Sequence, residues 1–567
     1  MVYSILNKQR TNLTLPYRKI IKNQFIFEFL LLTFLILILL FVNANRSYIK
    51  PISSQIQKVN AHISNINYII FVVDDDQHAK SLQPIYCNLH RKEENVYTHV
   101  IVTGRGISGT DLIKSNSLLP NCDAPVYDLE LQKGNKNILK SVIIEISDIL
   151  EQIRPDVLIY INDHKNEAMR GVDAALVAVS QKNSTTTKIS IPIEHTKHLM
   201  WLSDLSIEAL KNWNTPNIQL KVITQDRPQS LSRLIQSLNS SIYFGDNVHL
   251  TINIDRSADL VTVKYCQTFE WPFGQKNIRY RIIQGGLVTA VSGSYYPSTN
   301  DDYAIILEDD IEVSPFYYIW AKYIILKYRY GIDRNLFGRM FGISLYNIRI
   351  SELNMTGRQP FNATKILQDT KYPNQSPYLS QVPCSWGALY FPEIWREFHD
   401  YLSARLADVS GPKLQRIVVP ESRSDRWGQS WKRYMIELIY LRGYVMLYPN
   451  YQNHISFSTN YAEKGVHFKK KKTSNAELLV PLMKEDILLK GLPGNHLPNF
   501  NDLPALDLWG HVISPEKLIQ RGRELHSEIS RCPPSDIDKL TYDPQDLLCV
   551  DPSNNLTFVE KVLAKNQ

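Results

Sequence analysis

No two of the six cysteines (Cys87, Cys122, Cys266, Cys384, Cys532, Cys549) stand in C-x-x-C spacing. That absence argues against a zinc site and leaves disulfides whose pairing the spacing does not decide. There is also no basic stripe with interleaved aromatics. The formal charge is only +7 over 567 residues, and much of it sits in the N-terminal tail and in the run Lys469–Lys472. Nucleic acid is therefore a poor partner. Charged residues make up 21% and hydrophobic residues 44%, so the excess charge of a disordered chain is missing as well. The length is too great for one core and predicts two or three domains.

Acid is missing from the first 24 residues, which carry Lys8, Arg10, Arg18, Lys19 and Lys22. Directly behind them runs FIFEFLLLTFLILILLFV, Phe25 to Val42, broken only by Glu28 and Thr33. About 20 apolar residues span a bilayer. The positive flank puts the N-terminus in the cytosol and everything after residue 43 in a lumen or outside. The rival, a cleaved signal peptide, suits neither the long n-region nor the want of a clear small-residue cleavage site. We read residues 1–24 as a cytosolic tail, 25–43 as a transmembrane signal anchor and 44–65 as a polar stem. The acceptor sequons at Asn183, Asn239, Asn354, Asn362 and Asn555 agree with a secretory lumen, although short motifs also arise by chance.

Two α/β patterns occupy the chain beyond the stem. In the first, INYIIFVV (66–73), YTHVIVT (97–103) and DVLIYIND (156–163) read as strands, and Ile138, Val142, Ile146, Ile149 and Ile153 share a helical face. This predicts a Rossmann-like α/β domain over 66–205. Its GRGISG, Gly104 to Gly109, fits G-x-G-x-x-G, but after the second strand rather than the first, and Pro120 limits any helix behind it. A flexible turn is the plainer reading, and a phosphate contact the sharper one. Asp74, Asp75 and Asp76 read as a strand-end loop rather than a metal site.

After the linker WNTPNIQ (213–219), the second pattern begins with LKVIT (220–224) and a helix presenting Leu231, Leu234, Ile235 and Leu238 on one face. VHLTINI (248–254) ends at Asp255, IRYRIIQ (278–284) ends at Gly285 and Gly286, and YAIIL (303–307) runs into Glu308, Asp309 and Asp310. Open parallel sheets bind ligands at the carboxyl ends of their strands. Adjacent acids there are costly unless a cation offsets them. Mg²⁺ or Mn²⁺ bound by one or two carboxylates plus substrate phosphates meets that need. Asp310 is the first candidate ligand and Asp309 the second, with Glu308 and Asp309 also placed to orient sugar, ribose or water. A solvated loop or a helix N-cap is the competing reading.

VITQDRPQSLSRLIQSL, LEDDIEVSP, SWGALYFPEIWREF and RWGQSWKRYMIELIYLRGYVMLYPNY, within residues 218 to about 468, resemble a GT-A glycosyltransferase. The similarity is to the family 2-like group of membrane-anchored eukaryotic proteins and, more distantly, to mannosyl-glycoprotein N-acetylglucosaminyltransferases. It implies a GT-A domain with a mixed central sheet over 215–468, a nucleotide-sugar donor, and a divalent metal at Glu308–Asp309–Asp310. It also implies a nucleotide pocket near Thr224, Arg227, Asp255 and Gly286. A guanidinium at Arg227 suits phosphate oxygens, against a plain surface role. Asp255 either binds ribose or caps a helix. Trp386 and Gly387 would flank the donor sugar, against a packing role for the tryptophan. Inverting transfer needs a base to take the acceptor proton. The resemblance points to Asp425, although Arg426 stands where a second acid is expected, and Glu421 is the reserve. A late His467 is a weaker metal candidate.

The expectation is a single-pass type II membrane protein of the Golgi or endoplasmic reticulum. It moves a hexosyl or N-acetylhexosaminyl group from a nucleotide sugar to a luminal glycan, protein or lipid. The alternative is a non-catalytic GT-A-like binding or scaffolding protein. The domain at 66–205 is left with homodimerisation, acceptor choice or nucleotide binding as roles, and 469–567 with packing as a C-terminal extension.

Overall fold

The structure is a computed structural model. It describes residues 66–104, 106–120, 122–129, 137–180, 185–282, 285–332, 338–406, 419–463, 478–529 and 540–548. The tail, the apolar run Phe25–Val42, the stem, His467 and the run Lys469–Lys472 lie outside them. Among the described residues, no helix is long and apolar enough to cross a membrane.

The first sheet is built from β1 (Asn67–Val73), β2 (Val96–Val102), β3 (Val126–Asp128), β4 (Val157–Asn162) and β5 (Thr187–Pro192). Its order is β3-β2-β1-β4-β5, and every pairing is parallel. β1 and β4 are buried almost throughout, which is why they read as unbroken apolar runs rather than alternating ones. The helix Ile138–Ile153 buries Val142, Ile146 and Ile149, as their spacing predicts. Cys87 and Cys122 form a disulfide that closes a 35-residue separation in this unit. Replacing both with serine is expected to cost roughly 4 kcal/mol of unfolding free energy. Thermal unfolding with and without reductant checks this, since the variant should lose its sensitivity to reductant. Cys266 and Cys384 are buried thiols.

The second sheet has ten strands in the order β19-β18-β14-β16-β11-β15-β9-β6-β7-β8. In chain order these are β6 (Asn217–Thr224), β7 (Leu250–Ile254), β8 (Lys276–Tyr280), β9 (Asp302–Glu308), β11 (Met340–Ser344), β14 (Tyr378–Ser380), β15 (Ala388–Tyr390), β16 (Val445–Tyr448), β18 (Ala505–Leu506) and β19 (Val512–Ile513). β8-β7-β6-β9 run parallel, β15 is antiparallel to both β9 and β11, and β16 pairs parallel with β11. Two short ribbons lie outside it. β10 (Ile311–Val313) pairs with β17 (Ser458–Asn460), and β12 (Ile350–Ser351) with β13 (Gln359–Pro360).

This sheet is mixed, as expected, but two details differ from the sequence reading. β8 stops at Tyr280 and is largely exposed, because it is an edge strand with one neighbour. The extension beyond residue 469 does more than pack around the sheet, since β18 and β19 extend its other edge. Side chains alternate between two cores across β9: Tyr303, Ile305 and Leu307 face one, Ala304 and Ile306 the other. The first of these cores is continuous with that of the five-stranded sheet. Trp201 stacks on Trp213 at 5.5 Å and meets Tyr323 at 5.6 Å. Asp204 accepts from Lys327 Nζ at 2.5 Å and from the Leu497 amide at 3.3 Å, and is also bonded by Tyr323.

Candidate functional site

β6 is central: the chain passes to β7 and β8 on one side of it, then returns to β9 on the other. In an open sheet, the crevice at such a reversal, outside the carboxyl ends, is where ligands bind. β6 and β9 pair in register up to Ile223 opposite Glu308, and the Asp309 amide continues the ladder by donating to Ile223 O at 3.1 Å. Register therefore delivers Thr224 and the three carboxylates to one rim. The chain continues past the triplet into β10 rather than into a helix, so the N-cap reading of the acids falls.

The rim is a compact charge cluster. Thr224 Oγ1 donates to Asp309 Oδ2 at 2.8 Å, and Arg227 pairs with Asp309 Oδ1 and stands 3.7 Å from Asp310 Oδ2. Asn460, on β17, donates from Nδ2 to Asp310 Oδ1 at 3.1 Å. Burial pushes the Asp309 carboxyl up to about 6, against the pull of Arg227. Glu308 is pushed up to about 8 by burial, then by Asp310 and Asp309. Asp310 is raised as well, again chiefly by burial. Arg227, with Lys432 as a further cation near Glu308, does not compensate three carboxylates, so the cluster calls for further positive charge or protons.

These shifts fix the sign of a pH effect. Glu308 and Asp309 hold their protons more tightly folded than unfolded. Their stabilising contribution is full below about pH 4 and is lost as pH climbs through about 6 and about 8. The unfolding midpoint is expected to fall between pH 5 and pH 8.5, and to fall less in Glu308→Gln. A steeper fall in that variant contradicts the assignment.

A divalent cation fits part of this donor set. Asp309, the second candidate ligand, is fully buried and engaged by both Arg227 and Thr224. Asp310 retains 12% exposure and lies beside Glu308, which suits one hard ion bound partly by the protein. Among the described residues, no three His, Cys, Asp or Glu side chains converge as a closed ligand set.

The remaining candidates scatter. Asp255 donates its amide to Thr224 O at 3.1 Å, which places it at the rim, and the following helix, Leu260–Thr268, is capped by Asp259 instead. The helix-cap reading of Asp255 therefore falls. Gly286 opens the helix Gly286–Ser292 at φ +67° with open space around it. Gly387 holds φ +92°, and a β-carbon there would press on Ser458 at 3.2 Å and on Leu307 at 3.3 Å, so glycine lets β9 and the Trp386 segment approach. Trp386 is half-buried, with its ring centroid 4.8 Å from that of Tyr346.

Asp425 sits on the short turn Arg423–Arg426, packed on the helix Trp431–Arg442. Burial raises its carboxyl, and its charged neighbours are Arg433, Glu437 and Arg405, with the acid triplet not among them. Glu421 is exposed at φ +53°.

Near the rim stands Lys432, paired with Glu352, which sequence reading missed. Lys432 Nζ donates to Glu352 Oε2 at 3.0 Å, stands 5.6 Å from the Trp386 ring, and is a charged neighbour of Glu308. Burial pushes Glu352 up, but Lys432 and Arg358 outweigh it and hold the carboxyl below its usual range. Glu352, Trp386, Ser385 and Lys432 line one cleft. The two charged partners are 80 residues apart, so only the fold joins them.

The GRGISG loop carries less. The Gly109 amide, at a helix start, is already taken by Asp128 Oδ1 at 2.7 Å, and Gly106 donates to Asp74 O at 3.0 Å. The chain's own carboxylate thus occupies the place a phosphate would take. Asp74 is buried and accepts from Thr103 and from Asn166, and Asp75 caps the helix Asp76–His90.

Against known proteins, two family models match: the SPBC1E8.03c N-terminal domain over residues 53–213 and the SPBC1E8.03c C-terminal domain over 229–410. No curated protein matches in sequence. Among solved structures, the chain is similar to the S. aureus TarS fragment 1–349 (10% identity, TM-score 0.25, 41% of this chain and 58% of that one). It is also similar to GalNAc-T7 with UDP, GalNAc and Mn²⁺ (15%, 0.27, 42% of each chain). A third is the UDP-GlcNAc 2-epimerase of Neisseria meningitidis bound to UDP-GlcNAc (15%, 0.18, 42% and 77%). The chain spans under three fifths of the TarS fragment.

Proposed function

We propose that the protein is a glycosyltransferase that binds a nucleotide sugar at the carboxyl rim of β6, β7 and β9. One observation carries this reading: the reversal of strand order at β6 places Thr224, Arg227, Asp309 and Asp310 in a single charge cluster. Arg227 is locked against Asp309 on one side and offers its remaining donors to diphosphate oxygens. Asp255 borders the same rim for the nucleoside. Asp310 and Glu308 would hold Mn²⁺ or Mg²⁺, which when bound offsets charge on the diphosphate leaving group. Trp386 offers a flat apolar wall across the cleft. To accept the proton of an acceptor hydroxyl, Glu352, in the Trp386 cleft beside Lys432 and Arg358, is a second candidate beside Asp425, whose raised carboxyl makes it the stronger base. Anchoring through Phe25–Val42, with both sheets in the secretory lumen, completes the proposal.

The test is turnover by the full chain in detergent, over UDP- and GDP-sugars with luminal glycan and lipid acceptors, with Mn²⁺ or with chelator. Turnover of one donor supports the reading. A non-catalytic binding protein is the second reading, and the engagement of Asp309 by Arg227 favours it. Donor binding without turnover would select it. Glu352→Gln separates the two bases: if Glu352 acts, its loss lowers kcat by about 10²–10⁴-fold, while Asp425→Asn leaves kcat within a few-fold.

A further inference from the structure

We propose that a basic cavity beside the C-terminal hairpin holds a phosphate ester carried by the acceptor. The cavity, about 540 Å³, opens where the turn after Leu367 meets β19 and the helix Pro515–Ile529. Lys371, His511, Lys517 and Arg521 line it, together with Asp507 and the Ser514 hydroxyl. The single carboxylate is spent on its own hairpin, where His511 Nδ1 also stands 3.4 Å from Oδ2, and on Arg521 of the following helix. Asp507 Oδ1 accepts the Trp509 and His511 amides at 3.0 and 2.9 Å, and its Oδ2 accepts from Arg521 Nη1 at 3.0 Å. Lys371 and Lys517 form no ion pair among the described residues, and both are exposed. Three permanent cations against one carboxylate leave an excess of two positive charges. A phosphomonoester carries about −1.5 to −2 and matches that excess.

The cavity's position ties it to the cleft. Asp507 lines both the basic cavity and the Glu352–Trp386–Lys432 cleft, so only the hairpin between β18 and β19 separates the two. A ligand reaching across that hairpin would place a hydroxyl in the cleft and its phosphate on Lys371 and Lys517. This part of the inference rests on the reading of the cleft as the acceptor side; the anion site itself does not.

The ligand chemistry is a phosphate ester, and its source is either a phosphorylated sugar or a phospholipid-type headgroup. The full chain in detergent would be titrated by calorimetry with glucose 6-phosphate against glucose. In a second arm, phosphatidic acid in mixed micelles is compared with diacylglycerol. At least one phosphate-bearing probe is expected to bind. Affinity is expected to fall at least tenfold in K371E/K517E and to survive in K371R/K517R and in Arg227→Ala. Binding only in the micelle arm assigns the lipid source, and binding in the soluble arm the sugar source. K371Q/K517Q serves if charge reversal lowers the unfolding midpoint. The proposal falls if no phosphate-bearing probe binds the folded chain, or if binding is unchanged in K371E/K517E. It falls also if binding is lost in Arg227→Ala alone, which would put the phosphate at the donor rim. Loss of donor turnover with probe binding retained would overturn only the glycosyltransferase reading.

Discussion

Asp310→Asn is expected to lower donor turnover by roughly 10³-fold while leaving the fold intact. Removing a single preorganised charge-stabilising group at a reacting centre typically costs 10²–10³-fold. Asp310 keeps residual exposure and stands beside the more exposed Glu308, so the two can share one ion. The fold should survive for two reasons. An asparagine there keeps an oxygen for Asn460 Nδ2, and removing a buried negative charge relieves its repulsion with Glu308. The unfolding midpoint in the absence of metal should therefore hold or rise. Turnover and thermal unfolding, measured on the same preparation, check both halves. A variant retaining wild-type turnover removes Asp310 from the site.

The second large effect is on stability. Arg442, the last residue of the helix Trp431–Arg442, is buried and donates from Nε to Glu397 Oε1 at 2.8 Å, and from Nη1 and Nη2 to the two Asp546 oxygens at 2.7 Å. Tyr444 Oη donates to Glu397 Oε2 at 2.5 Å. Gly443 terminates the helix at φ +65° and turns the chain into β16. Arg442→Met would leave Glu397, which has no exposed surface, without its cation. Breaking a buried pair from one side costs about 3–5 kcal/mol. The unfolding midpoint is expected to drop by roughly 5–10 °C, and Glu397→Gln placed in the same chain should recover part of it. No drop would show that this pair does not hold the Trp386-bearing half of the sheet.

The strands that build the site were legible because their burial is two-sided. β1, β4 and β9 are apolar runs that stop at acids, β7 stops at Asp255 in the same way, and β6 is a similar apolar run. The four apolar residues of the helix Pro228–Asn239 likewise predicted its buried face. What stayed hidden depends on register and long-range approach. The locking of Asp309 by Arg227 comes from Ile223 pairing with Glu308, which no local pattern encodes. Asp425 stands near a tryptophan, as its motif suggests, yet its turn faces Arg433 and Glu437. Lys432 looked like one basic residue among several on a helix, and Glu352 like a loop acid, until the fold joined them. The basic cavity gathers Lys371, Lys517 and Arg521 from segments with no shared signature, and β18 and β19 are too short to read as strands.

The most direct test of the central claim is a crystal structure of the full chain with Mn²⁺ and UDP, with GDP in a parallel crystal. The account predicts a nucleoside diphosphate at the rim of β6, β7 and β9, its phosphates within hydrogen-bond reach of Arg227 and a metal bound by Asp310. A nucleotide seated instead at Gly104–Gly109, or none at the rim in either crystal, would contradict it.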